Sequence, residues 1–194
     1  MKKRIITGVS LLVVTLIAAT AIILGFVQTN NRPEINAPHE ITFALTTGQS
    51  RTVSNVEGLS STDKELYEKL YEAYEEMFNV SMLTGIFTGN IGNYTINETS
   101  SKPPVNGNKM TFTYLQNQTL TMHGETYYSK YDRTKKFEYR AIEFSISEED
   151  AYSELKIVVY LVDTINSRYF YGEIVTMANT SKIYNAIDSY YKGE

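Results

Sequence analysis

Twenty-three consecutive uncharged residues, Ile5 to Val27 (IITGVSLLVVTLIAATAIILGFV), constrain this chain more than any other feature. Only Thr and Ser hydroxyls interrupt the apolar run, and in a helix these bond back to carbonyls of the preceding turn. At about 1.5 Å per residue the run reaches roughly 34 Å, enough for a hydrocarbon core of about 30 Å. Lys2, Lys3 and Arg4 stand immediately before it, whereas Gln28 to Asn31 and a lone Arg32 follow. This asymmetry predicts a cytoplasmic segment over 1–4, a transmembrane signal anchor over 5–27, and the rest of the chain on the outer face. The competing reading is a cleaved signal peptide with Ala19-Thr20-Ala21 as its small-x-small site, which would release a secreted binding protein. Cleavage there would leave the apolar Ile22 to Val27 on a soluble product, which favours the anchor. Ala21 and Gly25 have the spacing of a helix-packing face, a pairing too common by chance to imply dimerisation.

The chain has 194 residues and no cysteine. Structural disulfides, thiolate metal sites, cysteine nucleophiles and a lipid-modified cysteine are all excluded. An exported domain without disulfides suits a bacterial cell envelope. Lys and Arg total 18 against 22 Asp and Glu. Setting aside Lys2, Lys3 and Arg4 leaves 15 basic residues against 22 acidic ones, a net charge of −7. Such a balance gives no basic footprint for nucleic acid or for anionic lipid.

Polar residues with two prolines, NNRPEINAP (Asn30 to Pro38), continue the segment 28–39 and read as a tether. The residues 40–194 then form one domain. Ile41 to Thr47 and Arg51 to Val56 flank Gly48-Gln49-Ser50 as a first hairpin. Thr62-Asp63-Lys64-Glu65 matches a capping box, and Leu66, Tyr67, Leu70, Tyr71, Tyr74, Met77 and Phe78 recur at steps of three and four. That helix should bury Leu70 and Tyr74 and expose Glu68 and Glu72.

Beyond it the period changes to two. Met82 to Thr88 and Tyr94 to Ile96 are expected to pair across Gly89 to Gly92, with Asn97 to Asn108 as a loop. Strands follow over Lys109 to Leu115, Thr119 to His123, Thr126 to Tyr131, Phe137 to Ile146, Leu155 to Val162 and Arg168 to Met177, in an antiparallel meander. Apolar residues shift parity within Phe137 to Ile146, and a β-bulge near Ala141 and Ile142 would return all six to one face. KIVVYLV (Lys156 to Val162) reads as a central strand covered on both faces. A second helix opens at Asn179 or Thr180 and carries a stripe of Ile183, Tyr184, Ile187, Tyr190 and Tyr191. One helix on each end or face of the sheet gives an α+β domain.

Few residues invite chemistry. His123 and Glu125 are an acid and a base two residues apart, but no nucleophile or third partner accompanies them. His39 falls in the tether. Glu138 and Glu143, brought to one face by the bulge, would be the carboxylate pair of a glycosidase, yet they share that face with Arg140 and Ser145 and read as a solvated edge. Glu148, Glu149, Asp150 and Glu154 lack the residue order and the glycine of a calcium loop. Gly85, Gly89 and Gly92 do not have dinucleotide-loop spacing, and no phosphate-loop or serine-elbow motif occurs. Sequons begin at Asn79, Asn93, Asn97, Asn117 and Asn179. Sixteen tyrosines and no tryptophan suit a strand-rich core with hydroxyls at its rim.

The sequence therefore predicts an N-terminal transmembrane helix followed by a mainly antiparallel α+β domain with two packed amphipathic helices. No catalytic or metal-binding residue and no cofactor is assigned, and no ligand-binding residue can be named. The expected partners are the membrane, through 5–27, and a protein or envelope ligand. A non-enzymatic binding or sensing domain is the leading reading, and a carboxylate-dependent extracytoplasmic hydrolase is the alternative.

Overall fold

The structure is a computed structural model that describes residues 12–20, 33–55, 60–78, 93–99, 101–102, 104–122, 125–129, 132–163 and 168–193. It is α+β, with three helices and a mostly antiparallel sheet. Helix α1 covers 12–20 and is exposed along its whole length. Among the described residues no helix is long and apolar enough to cross a membrane. The remainder of the run 5–27 lies outside the described residues.

Strands β2 (Glu40–Ala44) and β3 (Ser50–Ser54) form the expected hairpin, with Ile41 opposite Val53 and Phe43 opposite Arg51. Gly48 lies at φ +95° in the turn, a conformation that strains any residue with a Cβ. The large sheet has the order β3-β2-β5-β8-β9-β10-β4, where β4 is Asn93–Thr99, β5 Lys109–Thr119, β8 Glu138–Ser145, β9 Ser153–Asp163 and β10 Arg168–Ala178. β5, β8, β9 and β10 are sheet neighbours and make the meander. Of the strands expected over Thr119 to His123 and Thr126 to Tyr131, Thr119 belongs to β5 opposite Glu138, Thr121, Met122 and Thr126 do not add to the large sheet, and residues 123, 130 and 131 lie outside the described residues. There β6 (Thr121–Met122) and β7 (Glu125–Thr126) form a small second sheet with β1 (Pro33–Glu34).

Among the described residues of the segment expected to be tether, contacts with the domain are already made at Pro33. Pro33 and Glu34 pair with Met122 and Thr121, the Tyr67 hydroxyl donates to the Pro38 carbonyl at 2.5 Å, and the Tyr114 hydroxyl donates to that of Asn36 at 3.2 Å. β4 also departs from expectation. It runs to Thr99, into the expected loop, and its partner is β10, while the residues 82–88 expected to pair with it lie outside the described residues.

The bulge expected near Ala141 and Ile142 is not formed, since these residues pair in unbroken register with Tyr160 and Val159 and so face opposite sides of the sheet. Phe137, Tyr139, Ala141, Ile142, Phe144 and Ile146 are all buried. The irregularity, however, lies in the partner strand, where five residue steps from Thr113 to Gln118 face two from Ala141 to Tyr139. Arg140 donates to the Leu115 carbonyl and so satisfies one backbone group released by the bulge.

Helix α2 (Ser61–Glu76) is capped by Ser60, whose hydroxyl accepts from the Asp63 amide at 3.1 Å, rather than by Thr62. Four successive cap-competent residues, Ser60 to Asp63, leave the start of the helix open to a shift of this size. Asp63 fixes the earlier start, because Arg51 of β3 donates to its Oδ1 from Nε at 3.0 Å and from Nη2 at 2.7 Å. Burial alone would raise the Asp63 pKa, but hydrogen bonds from Arg51 and Ser60 and the guanidinium charge outweigh it and lower the pKa. Leu70 and Tyr74 are buried, and Glu68 and Glu72 are exposed, as the periodicity predicts.

Helix α3 (Ser181–Lys192) follows Thr180 and ends at Gly193, at φ +75°. Both α2 and α3 pack on the same face of the sheet. Tyr74 meets Phe112 and Phe144 at ring-centroid distances of 5.0 and 5.7 Å, and Tyr191 meets Phe43 at 6.1 Å. Ile41, Phe112, Ile142, Phe144, Ile157, Val159 and Ile174 complete this layer with Ile183 and Ile187, all fully buried. Burying a side chain of this kind contributes roughly 1.5 to 3 kcal/mol, and this layer is where most of the domain's stability resides.

Tyrosines in this core set an alkaline limit. Burial pushes the Tyr67 phenol up to about 12, with Tyr71 adding in the same direction, and burial raises Tyr114 and Tyr139 further. A raised phenol pKa means that the fold holds the proton more tightly than the unfolded chain does. This stability is complete below about pH 10, the ordinary tyrosine value, and falls as pH rises towards the folded values. In a titration from pH 9 upward, absorbance at 295 nm reports the ionisation of tyrosines. The buried three should ionise only together with loss of the far-ultraviolet circular dichroism. Ionisation of every tyrosine ahead of that loss would contradict their burial.

Candidate functional site

The sheet face turned away from the helices carries the most unusual charge in the molecule. Strand alternation puts Thr52, Thr42, Thr111, Glu143, Val158 and Glu173 in one transverse row, because each is the register partner of the next. At the centre of this row Glu143 is only 4% exposed, and its neighbour Val158 is fully buried. β8 is the middle strand of seven, so Glu143 sits on no edge, and its reading as part of a solvated edge is corrected. Charge next to Arg140 and Ser145 in the sequence suggested solvent. The burial comes instead from what crosses this face.

Lys102 crosses it. Its Nζ lies 2.5 Å from Glu143 Oε2 and 4.9 Å from the centre of the Tyr160 ring. The lysine therefore combines a charge-assisted hydrogen bond with a cation–π contact. Thr111 Oγ1 donates to the same Oε2 at 3.4 Å. Glu143 Oε1 is buried and has no hydrogen-bond partner among the described residues. A buried carboxylate oxygen left in that state is costly, which marks the place as one where a further donor would be favourable. Downstream the same loop is fixed at Asn108, whose Oδ1 accepts from the Thr46 amide at 2.8 Å and hydroxyl at 3.0 Å.

A second feature lies on the helical side. Between α2 and α3 runs an open groove of about 430 Å³, lined by Thr62, Glu65, Leu66, Lys69, Ala186 and Tyr190 among others. Tyr190 at its edge approaches Asp63 at 3.4 Å and lies under the Arg51 guanidinium at 5.3 Å.

The other sequence candidates do not converge on either feature. Glu125 is exposed in β7, and His123 lies outside the described residues. Glu138 is exposed and accepts from Asn117 Nδ2 at 3.0 Å, so it serves a local contact apart from Glu143. His39 is partly buried, and its amide donates to the Thr113 carbonyl at 2.9 Å. Asp150, from the acidic loop, accepts from Asn179 Nδ2 at 2.7 Å and from the Ser181 hydroxyl at 3.2 Å. Those bonds lower its pKa and tie the loop to the start of α3. Of the sequons, those at Asn117 and Asn179 thus have their amides engaged within the fold. Among the described residues no three His, Asp or Glu side chains gather as a metal site would require.

Sequence reasoning missed Lys102 and Tyr160 altogether. The available signal was Glu143 itself, a charge inside a strand whose neighbours Ala141, Ile142 and Phe144 are apolar on both parities. Nothing in the sequence marked its partner, since Lys102 lies in a loop 41 residues earlier. No protein-family model, curated protein or solved structure shows a significant match to this chain.

Proposed function

We propose that the chain is a single-pass membrane protein presenting an extracytoplasmic binding or sensing domain. The observation that carries the reading is the state of α1. Leu12, Val14 and Leu16 are 71%, 62% and 67% exposed, so this apolar helix is not covered by the domain. Apolar surface costs roughly 25 cal/mol per Å² in water, and a bilayer supplies the missing cover. The uncharged run 5–27 around α1 and the positive charges before it support a span with the N-terminus inside. The outward helical groove and the aromatic-rich domain suit recognition at the envelope, where tyrosine offers rigid area and a hydroxyl.

Placement is tested with Asn117→Cys, the sole thiol in a cysteine-free chain. An impermeant maleimide added to whole cells, or to spheroplasts where an outer layer blocks access, should label it. Labelling only after lysis would reverse the orientation. Binding is separated from hydrolysis by complementing a deletion phenotype with Glu125→Gln and with Glu138→Gln. Loss of a catalytic acid or base costs a factor of about 10² to 10⁴ in rate. Both variants are expected to complement. Failure of either one, with the protein folded and membrane-bound, would favour the hydrolase.

A further inference from the structure

Resting on the binding-domain reading above, we propose that Glu143 and the ring of Tyr160 form a recognition site for a lysine side chain presented by a partner, and that Lys102 occupies it as an internal stand-in. A primary alkylammonium carries three N–H donors, and a carboxylate beside an aromatic face is the pair of surfaces that matches it. The structure holds such a group in place. Lys102 Nζ sits 2.5 Å from Oε2 and 4.9 Å from the ring centre of Tyr160.

The resident group is an incomplete occupant, since Glu143 Oε1 receives no hydrogen bond among the described residues. An ammonium arriving without the tether of the Lys102 backbone is free to bridge both oxygens. Access is available, because the Lys102 side chain is 21% exposed while that of Glu143 is 6% exposed. The lysine side chain must leave for the partner's ammonium to enter. The domain's acidic balance favours a cationic partner over an anionic one and steers its approach. Lys102 competes as a tethered group at high effective concentration, so the natural chain binds a single lysine weakly and responds to partners that bring further contacts.

The test uses the full chain in phosphatidylcholine nanodiscs with ¹³C-labelled tyrosine, titrated with Nα-acetyl-lysine methylamide and followed through the Tyr160 ring resonances. Lys102→Met keeps the aliphatic stem and removes the ammonium. It should bind the probe at least ten times more tightly than the natural chain, and Lys102→Arg, which keeps the charge, should bind no better than the natural chain. The uncharged norleucine derivative should not bind, and Glu143→Gln placed beside Lys102→Met should abolish binding. If Lys102→Met does not give a folded spectrum, Lys102→Gln carries the same comparison. Equal affinity for the natural chain and the Met variant, equal binding of the norleucine derivative, or no binding by a folded variant overturns the proposal. None of these outcomes alters the labelling or complementation results, so the inference and the reading beneath it fail separately.

Discussion

A soluble chain beginning at Glu40 is expected to be roughly 2 to 6 kcal/mol less stable than one beginning at Pro33. Two buried or partly buried tyrosines account for the difference. Tyr67 donates to the Pro38 carbonyl and Tyr114 to the Asn36 carbonyl, and both acceptors vanish in the shorter chain. Each stranded hydroxyl costs about 1 to 3 kcal/mol when burial keeps water away. Loss of the β1 pairing to β6 and of Ile35 from the edge of the core adds in the same direction. For a domain of this size the thermal midpoint should fall by roughly 2 to 4 °C for each kcal/mol lost. Tyr67→Phe in the longer chain is the control. It removes the donor and leaves the Pro38 carbonyl and the Asn55 side chain short of a partner, so its cost should be about 0.5 to 1.5 kcal/mol. Equal midpoints for the two chain lengths would show that the segment from Pro33 to His39 does not contribute to the fold.

Phe112→Ala should cost about 3 to 5 kcal/mol, whereas Leu115→Ala three positions later in the same strand should stay within about 0.5. Phe112 is fully buried and Leu115 is 64% exposed. The phenylalanine also stands between two other rings, at 5.0 Å from Tyr74 on α2 and 5.7 Å from Phe144 on β8. Its removal therefore opens a cavity at the junction of helix and sheet. Urea unfolding of the single variants and of Phe112→Ala with Tyr74→Leu gives the pairwise term, expected at about 0.5 to 1.5 kcal/mol for an edge-to-face pair. A loss below about 1 kcal/mol for Phe112→Ala would mean that α2 is not docked on this part of the sheet.

Periodicity made much of this layer readable from the sequence. The stripe from Leu66 to Phe78, the hairpin around Gly48, and the strands Glu138–Ser145, Ser153–Asp163 and Arg168–Ala178 all follow from local patterns that persist in the fold. The departures arise where a distant residue decides a local outcome. Arg51 draws Asp63 into an ion pair and sets the start of α2 at Ser60. The pull of one core places both helices on a single face, although each amphipathic stripe alone is compatible with either. Glu143 is the clearest case. Its burial depends on Lys102 and Tyr160, and pairwise contacts across 41 residues leave no periodic trace. This buried ion pair was therefore the least legible part of the molecule, because it sits where local rules are broken.

The place of β4 at the rim of the sheet has a consequence for how the chain acquires its structure. Its hydrogen-bonding neighbour is β10, whose register partners Tyr169 to Val175 are synthesised 70 or more residues after Thr99 to Asn93. Among the described residues no earlier strand offers β4 this ladder, so its pairing with β10 waits until β10 is made. Closing so long a loop is entropically costly and slows folding relative to the hairpin of β2 and β3, whose ends meet within fifteen residues. An interrupted translation product lacking β10 would leave β4 without this partner, an open strand that templates aggregation and invites proteolysis. β10 thus serves as a check on what precedes it, since only a chain translated past Ala178 can pair the edge that β4 presents.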